Sequence, residues 1–385
     1  MVAGEASGDL HGANLVRAIR ELSPRAEFCG IGGGKMGEAG VEILVHSSEM
    51  AVVGLTEVFS RVRVIARAYR RLRSLLKSQR PDLLILIDYP DFNLLLAGAA
   101  KKFGVPVLYY ISPQVWAWRA GRVKKISKRV DRMAVILPFE QDFYRARGME
   151  VDYVGHPLLD AFPAKPSREE ALRSLDLDPN GPVLGILPGS RREEVTRLLP
   201  VMLKAAEILS ARHPGLRCFL PLADTIPLEL VQGITKSCPL PVRIVKDMAR
   251  VLSASDIVVV ASGTATLEAA LMQAPMVVVY RLSPMTYRLG KMMAQVPYIS
   301  LVNLIAGDRV VPELIQDDAT PGRIAEEAES ILAPGPRREM MVKGLIGVRE
   351  SLGGGPASVR TAEIALEMMA ERRRTEYGQD NHGRG

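Results

Sequence analysis

Short, nearly uninterrupted apolar runs alternate with helix-like patterns along most of this chain, and this alternation restricts its fold more than any other feature. Such runs are typical of parallel strands that helices cover on both faces. The predicted strands are Leu83–Asp88, Val105–Ile111, Met133–Leu137, Val183–Leu187, Cys218–Leu222, Ile257–Ala261 and Met276–Tyr280. The pattern therefore predicts an α/β protein built from βαβ units in doubly wound sheets.

A chain of 385 residues is longer than one typical domain, so more than one domain is expected. Prolines break helices and mark linkers, so they indicate where the domains divide. The proline-rich stretch from Pro157 to Pro182 puts a boundary near residue 165, and Pro334–Pro336 marks a second break. We predict a first domain over 1–165 and a second over 166–336. C-terminal helices follow over 337–372, with packing against the first domain as one option, and a disordered tail is expected over 373–385.

Both halves open with a strand, a loop of small residues and a helical pattern. The loops are Gly4–Asp9 in the first half and Pro188–Arg191 in the second. Two Rossmann-like domains facing each other across a cleft would put both loops at the carboxyl ends of strands, where ligands bind. Because only Met1-Val2-Ala3 precede the first loop, we expect a clipped first strand and a native chain that begins a few residues earlier.

Composition excludes several classes of protein. The three cysteines lie far apart and the five histidines never pair at metal-ligand spacing, so neither a disulfide framework nor a zinc site is predicted. Glu5 and Asp9 interrupt any apolar segment at the start, so we expect no signal peptide and a cytoplasmic protein. The net charge of +7 permits an anionic partner without indicating nucleic acid.

One stretch, Ile257–Tyr280, has the hydropathy of a membrane span but contains Gly263, Glu268 and Pro275. A spanning helix would be apolar throughout. We therefore interpret the stretch as a strand, a turn, a short helix and a second strand.

The turn Gly189-Ser190-Arg191 has the composition of an anion site. A helix beginning there would offer free N–H groups, Gly189 would let the backbone approach a ligand, and Arg191 would add positive charge. The alternative is a well-capped helix, because Ser190 and Glu193 have capping-box spacing. The two interpretations are compatible.

A second turn of small residues, Ser262-Gly263-Thr264, follows a buried strand and opens a helix. Glu268 lies about one turn into this helix, where its carboxylate can accept two ribose hydroxyls. Its alternative role is to complement the helix dipole. Two helix N-termini in one domain favour a nucleotide diphosphate as ligand.

Asp88 is the candidate general base, because it ends a buried strand at the carboxyl edge of the predicted sheet. A carboxylate there can take a proton from an acceptor hydroxyl, and partial burial would raise its pKa toward a useful value. Asp91 is the alternative, although it is better suited to capping the next helix. The choice between the two stays open at this point.

Gly32, Gly34 and Gly37 match the G-x-G-x-x-G pattern of dinucleotide-binding enzymes. The match follows the second strand rather than the first, and Glu57, about twenty residues on, lies in a different pattern. A flexible glycine loop is the preferred interpretation.

Two basic segments lie in the first half, Arg61–Arg80 and Arg119–Arg132. The first combines an apolar stripe, which predicts core packing, with a basic face that suits anionic headgroups. The second follows Trp116 and Trp118, a residue type enriched at membrane interfaces. With the mostly apolar Met50–Phe59, these segments predict binding to an anionic membrane surface. Nucleic acid is disfavoured, because few aromatic residues interleave the basic ones.

With these segments assembled, the chain resembles the lipid-A-disaccharide synthase family, glycosyltransferases of the two-domain GT-B architecture. The shared motifs run in family order over nearly the whole chain, and Ser-Pro-x-Val-Trp-Ala-Trp is highly specific. They are Val2–Asp9, Ile87–Asn93, Ile111–Arg119, Leu137–Glu140, Gly155–Pro157, Leu187–Arg191, Ala261–Thr264, Tyr280-Arg281 and Ser300–Leu304.

The resemblance implies an inverting transfer. UDP-2,3-diacylglucosamine donates its sugar to 2,3-diacylglucosamine 1-phosphate, and a β-1,6-linked disaccharide and UDP are released. The base implied is Asp88. The implied contacts to UDP or the donor come from Gly189, Ser190, Arg191, Ser262, Gly263, Thr264, Glu268 and Asn303. The implied contacts to the acceptor come from Glu5, Ser7, Gly8, Asp91 and Asn93.

No cofactor or metal is implied, because Arg191 and the helix N-termini can stabilise the charge on the leaving diphosphate. The implied location is the cytoplasm, peripherally on the inner face of the inner membrane, and a homo-oligomer is left open. The alternative enzyme is a peptidoglycan-type UDP-sugar transferase acting on a polyprenyl-linked acceptor, which the tryptophan motif disfavours. The alternative of another class is a non-catalytic lipid carrier, which has no need of Asp88 or of two anion-binding turns.

Overall fold

The chain is described here by a computed structural model that covers residues 1–50, 58–161, 166–176, 181–283, 287 and 296–382. It divides into two compact units. The first comprises Met1–Ala161 with Leu352–Gly385, and the second comprises Phe162–Ser351.

The first unit is built on a parallel sheet of seven strands in the order β3-β2-β1-β4-β5-β6-β7. The strands are β1 Val2–Ala3, β2 Cys29–Gly32, β3 Glu42–His46, β4 Leu84–Ile87, β5 Val107–Tyr110, β6 Arg132–Val135 and β7 Asp152–Tyr153. The four central strands β1, β4, β5 and β6 are almost wholly buried, which explains their uninterrupted apolar sequences.

Helices cover both faces of this sheet and form two hydrophobic clusters, one on each side. The helices are α1 Ala6–Leu22, α2 Gly34–Glu38, α3 Ser47–Met50, α4 Val58–Ser78, α5 Pro90–Lys102, α6 Val115–Trp118, α7 Val123–Ser127, α8 Pro138–Arg145, α9 Leu158–Ala161 and α18 Ala357–His382. The last of these packs along α1. The Asp160 carboxylate fixes its start by accepting hydrogen bonds from the N–H groups of Ala357 and Ser358, at 2.8 and 3.1 Å.

The second unit is built on a parallel sheet of six strands in the order β10-β9-β8-β11-β12-β13. The strands are β8 Val183–Leu187, β9 Arg217–Pro221, β10 Val242–Val245, β11 Ile257–Ala261, β12 Met276–Tyr280 and β13 Glu313–Ile315. The helices are α10 Arg168–Ser174, α11 Arg192–Arg212, α12 Leu228–Thr235, α13 Met248–Ala254, α14 Thr264–Leu271, α15 Leu301–Ala306, α16 Pro321–Leu332 and α17 Pro336–Ser351.

In each unit the strand order reverses between two neighbouring strands, which are β1 and β4 in the first unit and β8 and β11 in the second. Ligands bind at such switch points, outside the carboxyl ends of the strands. The register pairs Ala3 with Ile87 and Leu187 with Val260. The loops that the sequence singles out therefore leave each sheet side by side.

The two C-terminal helices belong to different units, whereas the sequence groups them together. Helix α17 packs on α14 and α15, which keeps it in the second unit, and α18 returns to the first. The first crossing between units falls at Ala161, close to the predicted boundary near 165. Helix α18 continues through His382, over residues for which the sequence predicts a disordered tail.

The interpretation of Ile257–Tyr280 is confirmed, because this stretch forms β11, a turn, α14 and β12. Within the described part of the chain, the helices are all too short or too polar to cross a bilayer.

Candidate active site

Asp88 lies at the switch point of the first unit, directly after β4. Because Ala3 pairs with Ile87, Gly4 and Asp88 leave neighbouring strands at the same level. The ring of Tyr89 packs on Gly4 so closely that a Cβ there would lie 2.4 Å from the Tyr89 Cγ. Gly4 is therefore the residue that lets the turn after β4 close over the turn after β1.

The backbone at Asp88 is unusual, because Asp88 and Tyr89 both adopt left-handed conformations, with φ of 45° and 47°. Residues other than glycine rarely do so, and such strain is held by surrounding contacts. Here the Asp88 carbonyl accepts hydrogen bonds from the Tyr109 hydroxyl at 2.6 Å and the Asn93 side-chain amide at 2.7 Å. Helix α5 then begins at Pro90, a favoured first residue.

Burial raises the pKa of the Asp88 carboxyl to about 6, and the negative charge of Glu5 adds to this effect. A hydrogen bond from the Tyr89 backbone opposes it. A carboxyl group with a pKa near neutrality can accept a proton and release it again at working pH.

Asp91 has a different environment. It lies in the first turn of α5, its side chain is 83% exposed, and an oxygen of its carboxylate lies 3.0 Å from a guanidinium nitrogen of Arg122. The Asp91 carboxylate is therefore exposed and held by a cation, whereas the Asp88 carboxylate is partly buried at the end of a strand. The geometry therefore favours Asp88 over Asp91.

The other acceptor-side residues surround this turn. Glu5 precedes α1 as its N-cap and is exposed, and Ser7 lies exposed in the first turn of α1. Gly8 is buried against Ala3. Asn93 is also fully buried, and its amide group donates to the carbonyls of Ile87 and Asp88. Glu5 and Ser7 can thus touch a ligand, while Asn93 shapes the turn.

The glycine segment after β2 is not the flexible loop that the sequence favours, because Gly34 and Gly37 lie in helix α2, and Asp9 rather than a ligand caps the start of that helix. The buried Asp9 carboxylate accepts hydrogen bonds from the N–H groups of Gly33, Lys35 and Met36, at 2.6 to 3.1 Å. These are the N–H groups that a dinucleotide phosphate would need. The dinucleotide alternative at Gly32–Gly37 is therefore wrong.

Of the two tryptophans predicted at a membrane interface, Trp116 is buried inside the first unit, and the Trp118 side chain lies outside the described part of the chain. Trp116 is 6% exposed, its indole N–H donates to the Glu140 carboxylate at 3.1 Å, and its ring packs edge-on against Phe139. Glu140 is buried and also accepts from the Ser112 hydroxyl at 2.5 Å. The Glu140 carboxylate therefore links the tryptophan motif to the segment that follows β6, and this packing explains why the motif contains Ser112 and Trp116.

In the second unit, the turn after β8 is closed by Glu194. Helix α11 begins at Arg192, and Glu194 accepts hydrogen bonds from both the backbone and the guanidinium of Arg191. The predicted capping pair of Ser190 and Glu193 is wrong by one residue, because Arg191 is the N-cap. Ser190 is exposed, and its carbonyl accepts a 2.6 Å hydrogen bond from the Thr225 hydroxyl.

The turn after β11 lies beside it and is open. Gly263 and Thr264 are exposed, with Gly263 as the N-cap of α14, and the Ser262 hydroxyl donates to the carbonyl of Ile299. Glu268 is largely buried one turn further on, and burial raises the pKa of its carboxyl group. A carboxyl in this position can accept or share hydrogen bonds with hydroxyl groups of a ligand.

Asn303 is engaged inside the second unit, and this corrects the contact role predicted for it. Its side chain is fully buried and bonds through both amide atoms to the backbone of Val311. It also donates to Glu313, which accepts from the N–H groups of Ile299 and Ser300. Asn303 therefore holds the segment on which the Ser262 hydroxyl rests, rather than presenting an amide to a ligand.

The first unit has a cavity, but it does not lie at the carboxyl edge of the sheet, where Asp88 is found. This cavity of about 920 Å³ lies at the amino edge of the sheet, among Met1, Leu76 and Leu84, away from Asp88. In the described ranges, no three His, Cys, Asp or Glu side chains assemble into a group that could hold a metal ion.

Sequence reasoning missed two residues that shape these turns. Tyr109 lies in an apolar run, which predicts a core residue. Its hydroxyl reaches the Asp88 carbonyl only because of the strand register, which the sequence does not give. Glu194 is adjacent to Glu193, so the sequence offers two capping registers. A helix start assigned at Arg192 would have identified Glu194.

Comparison with known proteins gives a consistent result. A sequence model of the family described as lipid-A-disaccharide synthetase matches residues 1–352. The lipid-A-disaccharide synthase of Geobacter metallireducens is 52% identical over 374 residues, which cover 97% of each chain. That of Geobacter sulfurreducens is 51% identical over 372 residues, which cover 96% of this chain and 97% of the relative.

Solved structures resemble the fold at low sequence identity. A putative UDP-N-acetylglucosamine 2-epimerase from Listeria monocytogenes is 14% identical, with a TM-score of 0.66 over 96% of this chain and 95% of its own. The calicheamicin glycosyltransferase CalG4 is 16% identical, with a TM-score of 0.61 over 96% of each chain. These likenesses concern the fold alone, which consists of two Rossmann-like units with parallel sheets.

Proposed function

The chain belongs to the lipid-A-disaccharide synthase family of UDP-sugar glycosyltransferases with the GT-B fold, and on this premise we propose that Asp88 is the general base of its reaction. The reaction transfers the sugar of UDP-2,3-diacylglucosamine to the 6-hydroxyl of 2,3-diacylglucosamine 1-phosphate. A β-1,6 glycosidic bond forms, and UDP leaves.

The observation that carries this proposal is the environment of Asp88. Its carboxyl group is partly buried at the switch point of the first sheet, and this burial raises its pKa to about 6. Asp91 is instead exposed and paired with Arg122. Only Asp88 therefore combines a strand-end position with the proton affinity that a base needs near neutral pH.

Inversion at the anomeric carbon needs a single displacement. Asp88 accepts the proton of the acceptor hydroxyl as its oxygen attacks, and the bond between the anomeric carbon and the UDP oxygen breaks. Negative charge then grows on the diphosphate. No covalent enzyme intermediate is required, because one step accounts for the change from an α donor to a β product.

We assign the departing diphosphate to the two turns of the second unit. Both turns follow neighbouring strands, and each opens a helix whose first N–H groups have no partner within the helix itself. Arg191 is 78% exposed and can turn from Glu194 toward an anion. N–H groups and a guanidinium directed at developing charge stabilise it in the transition state. Glu268 is assigned to the ribose hydroxyls.

The proposed function is tested with purified protein and the two diacylated sugars, by following UDP release and isolating the disaccharide. UDP release that requires both sugars supports the proposal. A polyprenyl-linked acceptor is the comparison substrate, since the peptidoglycan-type alternative predicts turnover with that acceptor only. The family match over residues 1–352 does not favour this alternative.

Gly189→Ala is expected to weaken UDP binding about tenfold. Gly189 has φ of 109°, and a Cβ there would lie 2.4 Å from the Glu194 carboxylate, so either the Glu194 side chain that closes the turn or the turn itself must move. Left-handed strain costs about 1–3 kcal/mol. Where the free turn relaxes this strain and UDP binding must restore it, the cost appears in affinity, and about 1.4 kcal/mol corresponds to a tenfold change. Calorimetric titration with UDP measures the effect.

Gly215→Ala is the matched control for backbone strain. Gly215 lies in the same unit with φ of 89°, and a Cβ there would meet no atom within 4 Å. Both variants should lose unfolding free energy, but Gly215→Ala should bind UDP like the parent. Equal UDP affinities in the two variants would remove the turn after β8 from the donor site.

We also propose that the first unit binds an anionic membrane surface, because diacylated substrates remain in a bilayer. The proposed location is the inner face of the inner membrane. The exposed basic face of α4 supports this assignment.

A further inference from the structure

We infer that the Tyr109 hydroxyl and the Asn93 amide form a positioning pair that aims the Asp88 carboxylate. This inference rests on the proposed role of Asp88 as base. Neither side chain needs to touch a substrate. Both act through the peptide group of Asp88, which they hold in the left-handed turn between β4 and α5.

The contacts converge on a single atom. The Asp88 carbonyl oxygen accepts from the Tyr109 hydroxyl at 2.6 Å and from the Asn93 amide at 2.7 Å, and the same amide reaches the Ile87 carbonyl at 3.2 Å. Both donors are fully buried. A buried carbonyl with two donors is difficult to reorient, since leaving either donor unpaired carries a desolvation penalty.

The turn needs such restraint. Asp88 and Tyr89 are consecutive residues with positive φ, and neither is glycine. Two strained residues in succession persist only where the surroundings fix them, and such strain concentrates at functional sites. If the turn relaxed to ordinary φ values, the Asp88 side chain would leave the edge of the sheet.

The two donors come from different elements, and this makes the device rigid. Tyr109 lies on β5, where it pairs with Leu86 of β4, and Asn93 lies on the first turn of α5. The Asp88 carbonyl is therefore held from the sheet by the Tyr109 hydroxyl and from the helix by the Asn93 amide. A general base gains rate from such restraint, because a displacement of about 1 Å can cost about a hundredfold.

Tyr109→Phe is the test, because it removes one hydroxyl and keeps the ring. We expect kcat to fall about tenfold, with KM for both sugars and the Kd for UDP within about twofold of the parent, since only orientation of the base changes. Asn93→Leu should act in the same direction. In the double variant, the fold decrease in kcat should be smaller than the product of the two single decreases, because both donors bind the same carbonyl oxygen.

Tyr110→Phe is the matched control. Tyr110 is the next residue on β5 and equally buried, but it belongs to the hydrophobic cluster on the opposite face of the sheet. Its hydroxyl is therefore remote from the Asp88 carbonyl. A Tyr109→Phe variant with the kinetics of Tyr110→Phe would overturn the inference.

A titration of the Asp88 carboxyl by ¹³C NMR gives a readout that does not need turnover. In Tyr109→Phe we expect its pKa to move from about 6 toward the ordinary aspartate value, because a relaxed turn exposes the group to water. An unchanged titration in that variant would contradict the inference. If the parent releases no UDP with the two sugars, the proposed function fails, and this titration still decides whether Tyr109 and Asn93 position Asp88.

Discussion

Asp88→Asn is expected to abolish detectable turnover and to leave UDP affinity close to that of the parent. The amide keeps the volume of the carboxylate but cannot accept the proton of the acceptor hydroxyl. Loss of a general base typically costs about two to four orders of magnitude in rate. Asp88 belongs to the first unit, whereas the residues assigned to UDP belong to the second. Initial rates of UDP release and titration with UDP measure the two quantities.

Two further substitutions make this result specific. Asp142→Asn is the matched control, since Asp142 is an exposed carboxylate on α8 of the same unit, and its rate should equal that of the parent. Asp91→Asn breaks an exposed ion pair with Arg122, which contributes little, so most of the rate should remain. Near-normal kcat in Asp88→Asn, with a large loss in Asp91→Asn, would transfer the role of base to Asp91.

The turnover of the parent protein should depend on pH through the titration of the Asp88 carboxyl. Asp88 acts as a base only when it is deprotonated, and burial raises its pKa to about 6. Turnover should therefore fall as the pH drops through about 6, by about tenfold for each unit below it, and should level off above. Glu5→Gln removes the negative charge that contributes to the raised pKa, so its acidic limb should shift to lower pH. An acidic limb that stays in place in Glu5→Gln would show that another group titrates.

The sequence predicts the central strands well and the edges poorly, for a physical reason. Strands β8, β11 and β12 match their predicted bounds, because burial on both faces makes them uniformly apolar. Strands β10 and β13 were not identified, because they are partly exposed and short. A half-exposed strand carries polar residues, and its short pattern resembles a loop.

The sequence is sufficient to locate the candidate site, but it does not decide which of the neighbouring polar residues has which role. Strand-end positions follow from the alternating pattern, and this is sufficient to find Asp88 and Gly189. The choice between Asp88 and Asp91 depends on Arg122, thirty-one residues beyond Asp91, and no local pattern reveals that pair. Asn303 likewise reads as a polar residue free to bind, whereas Val311 and Glu313 engage its amide.

Basic residues of α4 are expected to dominate binding of the protein to anionic vesicles. Ala68, Leu72 and Leu76 face the core, so the opposite face of the helix is exposed. That face carries four exposed basic side chains at helical spacing: Arg63, Arg67, Arg70 and Lys77. Each Lys or Arg near an anionic surface contributes about 1 kcal/mol. Replacing all four by Gln should weaken vesicle binding by about a hundredfold or more.

The structure decides which residues belong in this variant. Arg71 is left out, because its guanidinium donates to the carbonyl of Leu44 at 2.7 Å, and its loss would disturb β3. In the second basic segment Arg122 pairs with Asp91, and Arg129 donates to the carbonyl of Leu94. Of the apolar segment Met50–Phe59, the Met50 side chain is buried, and residues 51–57 lie outside the described residues.

A matched variant separates this surface from net charge. Four exposed lysines of the second unit are replaced by Gln in the control: Lys204, Lys236, Lys246 and Lys343. Both variants lose four positive charges, but only the α4 variant should lose binding in co-sedimentation with vesicles of anionic phospholipid. Added salt should weaken the parent and have little effect on the α4 variant, because the attraction falls off within a Debye length. Equal losses in the two variants would mean that net charge, and not this helix, attracts the membrane. Unchanged binding in both would leave apolar contacts of the first unit to hold the protein on the bilayer that contains its substrates.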